Sequence, residues 1–207
     1  MKTSHFTIYG KGGAGKTFIA SMLFQYLKAR DLPTERFYLG GSGNYDDCFN
    51  RVLEEDMNFV IDNARMVFHD LDYYVSENNV FEIIQEHAKR SVVHIPITNN
   101  RESVDHFLLT LSGLPPYVDV VVWLNGYHGN ADEFMKSVAY IENKDRILSV
   151  VRLDEYPHPV YDTDLQMMLK EGMSFDEAAA SPSFTLMANS RLIKVRGNIF
   201  SQLDAIL

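Results

Sequence analysis

Six short runs of apolar and β-branched residues recur along the chain: His5 to Tyr9, Arg36 to Leu39, Asn58 to Ile61, Val92 to Ile97, Val118 to Leu124 and Ile147 to Leu153. Several are almost continuously hydrophobic, the pattern of strands buried on both faces. Between them polar positions return at helical spacing. Lys16 to about Ala29 sets Ile19, Leu23, Tyr26 and Leu27 on one face, and Asp46 to Glu55, Asn79 to Lys89, Ser103 to Ser112 and Asp132 to Asn143 follow the same rule. This alternation predicts an α/β fold, a mostly parallel sheet flanked by helices on both faces and joined by right-handed crossovers. After Pro159 the pattern is helical (Thr163 to Lys170, Ser174 to Ala180, Phe184 to Leu207), so a C-terminal helical element, about residues 160–207, is expected to pack on the sheet. The turns Gly113-Leu114-Pro115-Pro116 and Tyr156-Pro157-His158-Pro159 are too short for interdomain linkers, and 207 residues are expected to form one domain spanning 1–207.

Composition narrows the classes. The chain is 46% hydrophobic and carries 13 Phe and 11 Tyr, ample material for a core. Its formal charge of −9 argues against a broad surface for gripping nucleic-acid backbone. The single cysteine, Cys48, cannot close an intramolecular disulfide, and no apolar run reaches membrane-spanning length, so a cytoplasmic protein without membrane insertion is expected. Seven histidines are scattered, with no pair at ligand spacing and no Cys/His cluster. Ser21, Ser42 and Ser112 lack the context of a nucleophile elbow. His69 to Asp72 and Asp162 to Asp164 read as capping or loop acids; Arg191, Lys194 and Arg196 read as a solvated helix face or a contact for DNA or an acidic partner.

The most informative stretch is Gly10-Lys11-Gly12-Gly13-Ala14-Gly15-Lys16-Thr17-Phe18, which fits G-x4-G-K-[ST] at every position, directly after a predicted strand and at the start of a predicted helix. The glycines let main-chain N–H groups curl around phosphate oxygens, and the following helix adds its N-terminal partial charge. Lys16 is expected to reach the β and γ phosphates and Thr17 to ligand Mg²⁺. Asn58-Phe59-Val60-Ile61-Asp62 is an apolar strand ending in an acid, which sets Asp62 as the second Mg²⁺ residue through a bound water. These residues point to Mg²⁺ and a purine triphosphate as the cofactors, ATP or GTP, with no Asn-Lys-x-Asp guanine box present; the resemblance below implies ATP.

The chain resembles the TraL family of conjugal transfer proteins, ParA/MinD-like P-loop ATPases with a deviant Walker A loop. The resemblance rests on Ile8 to Thr17, Val60-Ile61-Asp62-Asn63 and Val121-Val122-Trp123-Leu124-Asn125, and beyond these on Glu142 to Arg146, Ser174 to Ala178, Met187-Ala188 and Arg191-Leu192. It implies that Lys11 reaches across an ATP-dependent homodimer to the partner's nucleotide. Asn125 stands at the position that reads adenine, or else forms the turn before Gly126. It further implies a role in plasmid conjugative DNA transfer, with relaxosome or coupling proteins as partners. One departure concerns turnover. Such ATPases follow the second strand with an Asp-x-Asp segment whose first acid orients the attacking water; here that strand runs into Leu39 to Asn44, and Asp46 and Asp47 are wrongly spaced to replace it. Binding with slow or impaired hydrolysis is therefore expected. The alternatives are a P-loop small-molecule kinase, for which Arg101 and Arg152 follow strands without a lid pattern, and a ParA-type DNA-partition ATPase.

Overall fold

The computed structural model describes residues 2–7, 9, 10, 12–39, 44–62, 68–156 and 159–207. Among them, strands β1 (Thr3–Phe6), β2 (Thr34–Tyr38), β3 (Asn58–Asp62), β4 (Arg90–Ile97), β5 (Asp119–Asn125) and β6 (Ile147–Leu153) form one sheet. Their spatial order is β2-β3-β1-β4-β5-β6, and every pairing is parallel. The neighbours β1 and β4 send their connections to opposite sides of the sheet, which opens a crevice beyond their carboxyl ends, where ligands of open parallel sheets bind.

Helices cover both faces, as the alternation predicts. On one side lie α2 (Tyr45–Glu54), α3 (Phe68–Glu77), α4 (Val80–Glu86), α5 (Arg101–Gly113) and α6 (Val138–Asn143), with Phe49, Leu71, Val75, Phe81, Phe107 and Phe134 in the core beneath. On the other lie α1 (Lys16–Ala29), α7 (Val160–Lys170), α8 (Phe175–Ala180) and α9 (Leu186–Leu203). The expected face of α1 is buried at Ile19, Leu23, Tyr26 and Leu27. The C-terminal helices begin where expected, at Val160. Ser174 and Glu177 cap α8 reciprocally, each side chain bonding the other's main-chain N–H. Gln202 of α9 closes the outer edge of β6: its Oε1 accepts from Arg152 N at 2.7 Å and its Nε2 donates to Arg152 O at 3.0 Å, so part of an open strand edge is occupied by a side chain.

Three expectations are corrected. The first strand spans Thr3–Phe6 and not His5 to Tyr9. Residues 69–72, read as capping or loop acids, lie inside α3, whose buried Leu71 and Val75 are an i, i+4 pair half-hidden among polar neighbours. The helix expected over Asp132 to Asn143 is split into a 3₁₀ segment, Ala131–Lys136, and α6. Ser137 breaks it with an extended ψ of 153°, and its hydroxyl accepts from Tyr140 N at 3.2 Å as the N-cap of α6.

Two of the scattered histidines meet in the core. His5 Nδ1 lies 3.0 Å from His94 Nε2, and Trp123 Nε1 donates to His94 Nδ1 at 2.9 Å. Because indole only donates, His94 carries its proton on Nε2 and passes it as a hydrogen bond to His5. Burial pushes His5 down to about 3, helped by Arg90, and pushes His94 well below its ordinary range, so both rings are neutral.

Candidate functional site

The glycine-rich loop leaves the carboxyl end of β1 and enters α1. Gly10 and Gly15 hold φ angles of 101° and 105°, in the left-handed region that suits glycine. A β-carbon at Gly10 would also sit 3.0 Å from Pro96 Cδ, and one at Gly15 would sit 2.9 Å from Asn125 Nδ2. The space beside Gly12 and Gly13 is open. α1 begins without a side-chain cap, and its first turn closes with Ile19 N donating to Gly15 O at 2.9 Å. Such a helix start favours an anion. Lys16 Nζ folds back to donate to Gly10 O at 3.0 Å. Burial lowers the Lys16 ammonium from its ordinary range, and the Asp62 charge partly opposes that. Lys11 lies outside the described residues.

Asp62 ends β3 beside this loop and is fully buried. Thr17 Oγ1 donates to its Oδ1 at 3.4 Å, so the two residues expected to hold Mg²⁺ do meet. The other oxygen is taken: Arg36 Nη2, from the edge strand β2, donates to Asp62 Oδ2 at 2.6 Å and reaches Thr17 O at 3.3 Å. The Thr17 and Asp62 oxygens are of the type Mg²⁺ prefers, yet the carboxylate is already compensated by a cation of the chain itself. While Arg36 stays, this arrangement does not fit the ion. Sequence reading passed over Arg36; its only signal was a charged residue at the start of an otherwise strand-like run, Arg36 to Leu39.

On the far side of the loop, Asn125 ends β5 and is buried. Its Nδ2 donates to Ala14 O at 2.9 Å and its Oδ1 accepts from Tyr127 N at 3.1 Å, so its amide both ties down the loop and forms the turn before Gly126. Beside it a cleft of about 160 Å³ is lined by Phe18, Asn125, Tyr127, Asp162, Leu165 and Leu169, among others. The Tyr127 hydroxyl and Asp162 Oδ1 are buried there without a hydrogen-bond partner among the described residues. Burial, with the charges of Asp162, Tyr156 and Asp154, raises the Tyr127 phenol, so it remains a neutral donor and acceptor. Neither residue carried a motif that sequence reading could use.

Other candidates have internal partners. Arg191 donates to the buried Asp164 at 2.5 Å, Arg196 pairs with Asp176 at 2.8 Å, and Lys194 lies over the Tyr161 ring. The basic cluster of α9 is thus bound into its own helical layer, and Asp164 is an ion-pair acid and not a loop cap. Asp46, weighed as a substitute water-positioning acid, accepts from Tyr74 Oη at 2.5 Å. Arg152 pairs with Asp132. Among the described residues no group of three or more His, Cys, Asp or Glu side chains could hold a metal, and no helix is long and apolar enough to cross a membrane.

No protein-family model matches the chain. Two curated relatives from Escherichia coli, each named Protein TraL, are 30% and 27% identical to it; both alignments span 99% of this chain and 98% of the relative. With similarity extending through the sheet, the loop and the C-terminal helices alike, the chain belongs to the TraL protein family.

Proposed function

We propose that this protein is an ATP-binding switch of the ParA and MinD kind, with a P-loop fold, that supports conjugative transfer of plasmid DNA from the cytoplasm. The observation that carries this reading is one juxtaposition. The Gly10–Thr17 loop, the uncapped start of α1 and the Asp62 carboxylate lie together at the carboxyl edge of a parallel sheet. Main-chain N–H groups in that geometry suit phosphate oxygens, and Lys16 is poised to exchange the Gly10 carbonyl for them. The neighbouring cleft offers a purine ring the apolar walls of Phe18, Leu165 and Leu169, with the Tyr127 hydroxyl and Asp162 for its polar edge.

In this reading ATP shifts an equilibrium between monomer and homodimer, with Lys11 adding binding energy only in the dimer. Hydrolysis is slow, because β2 ends at Tyr38 without the water-orienting acid and Asp46 is engaged by Tyr74. Relaxosome or coupling proteins are the partners through which the switch acts. The kinase alternative draws no support from Arg152, which is paired with Asp132. The partition alternative is weakened by the pairing of the basic α9 side chains and the charge of −9.

ATP at about 100 times its dissociation constant should add roughly 2.7 kcal/mol of stability, a rise in melting temperature of about 5 to 11 °C for a domain of this size. Lys16→Ala should abolish the rise, and light scattering should show a doubled mass with ATP for wild type but not for Lys11→Ala. A phosphate-release assay run alongside measures turnover. No melting response to any purine triphosphate sinks the reading as a whole; an unchanged mass with ATP sinks the dimer.

A further inference from the structure

We propose that Arg36 is the resident cation of the phosphate site, taking the charge-compensating place of magnesium, so that triphosphate binding by this chain does not depend on a divalent ion. This rests on the nucleotide-binding reading above. The carboxylate of Asp62 is fully buried and both its oxygens are engaged, Oδ1 by Thr17 Oγ1 at 3.4 Å and Oδ2 by Arg36 Nη2 at 2.6 Å. In a site served by Mg²⁺, the ion and its waters screen such a carboxylate from the β and γ phosphates. Here the screening charge is part of the chain and needs no concentration of free ion. Displacing it would strand a buried carboxylate until an ion arrived, which is strongly unfavourable.

Arg36 suits this place for three reasons. It is held by β2, whose register sets it opposite Val60 and two positions before the partner of Asp62. Its second contact, to the Thr17 main-chain oxygen at 3.3 Å, joins it to the first turn of α1. Its Nε–H is buried without a partner among the described residues, so the guanidinium has donor capacity left for an incoming acceptor.

Calorimetric titration of the full-length protein with ATP, in EDTA and in excess MgCl₂, tests this. Wild type should bind with dissociation constants within about threefold of each other in the two buffers. Arg36→Gln should bind about tenfold or more weaker in EDTA and recover when magnesium is added. Should Arg36→Gln fold poorly, the double variant Arg36→Gln/Asp62→Asn removes both charges together and should again bind alike in both buffers. The proposal is overturned if magnesium tightens wild-type binding more than about threefold, or if the double variant retains a magnesium requirement. ATP heat absent from wild type in both buffers overturns the nucleotide reading itself, and Arg36 then has no ligand to serve.

Discussion

The two sides of the crevice are built on opposite principles. The glycine-rich side belongs to one consecutive segment, Gly10 to Thr17, backed by a carboxylate that is already paired. The cleft side is assembled from Phe18, Asn125, Tyr127, Asp162 and Leu165, contributed by α1, β5, its following turn and α7, and it leaves two polar atoms without partners among the described residues. The first is closed electrostatically before any ligand arrives; the second carries unmet hydrogen-bonding capacity. Disturbing the loop side should therefore cost folding stability as well as binding, whereas disturbing the cleft side should cost recognition alone.

The largest effect is expected at the buried pair. Arg36→Ala leaves Asp62 uncompensated in the interior and should lower unfolding free energy by about 3–5 kcal/mol at neutral pH, measured by denaturant titration. A loss below about 1 kcal/mol would place this pair among ordinary surface ion pairs and remove the contrast between the two sides.

Next comes the buried His5 and His94 pair on the adjacent strands β1 and β4. Both imidazoles are neutral in the fold, with pKa values lowered, and gain protons when the chain unfolds. Stability is therefore complete above the unfolded value near 6.5 and falls as pH drops below it. Between pH 6.5 and 5 the loss should be about 2 kcal/mol for each ring. Denaturation midpoints that do not move over that interval would mean that the rings are charged in the native state.

Asn125 joins the two sides, since it bonds the Ala14 carbonyl and borders the cleft. Asn125→Ala should cost about 1–2 kcal/mol through the stranded carbonyl and should weaken ATP binding as well. If stability fell and binding did not, Asn125 would be a brace of the loop alone.

The smallest change, and the sharpest test of the contrast, is Tyr127→Phe. Removing a buried hydroxyl that has no partner among the described residues should raise the stability of the unliganded protein by about 1 kcal/mol while reducing the ATP-induced rise in melting temperature. Lower stability without ligand would show that the hydroxyl is already satisfied.

Much of the fold was legible because its signals are local. Strand runs at Val92 to Ile97 and Val118 to Leu124 are continuous in hydrophobicity, and α1 declares its buried face at Ile19, Leu23, Tyr26 and Leu27. α3 was missed because its apolar positions Phe68, Leu71 and Val75 are interleaved with acids and tyrosines, and the helix at 132–143 was overextended because Ser137 reads equally as an interior polar position or as a cap.

What the sequence alone determined is the glycine-rich loop before α1: its eight residues are contiguous, and glycine at Gly10 and Gly15 answers to backbone torsion, a property each residue carries in its own covalent structure. What only the tertiary structure decided is which side chains from distant segments meet. Arg36 reaches Asp62 because β2 pairs with β3, His5 reaches His94 because β1 pairs with β4, and Tyr127 shares a cleft with Asp162 because α7 returns across the end of β5. Those meetings depend on strand order and on the free energy of burying charge and hydroxyl groups in company, and neither is written in any short stretch of chain.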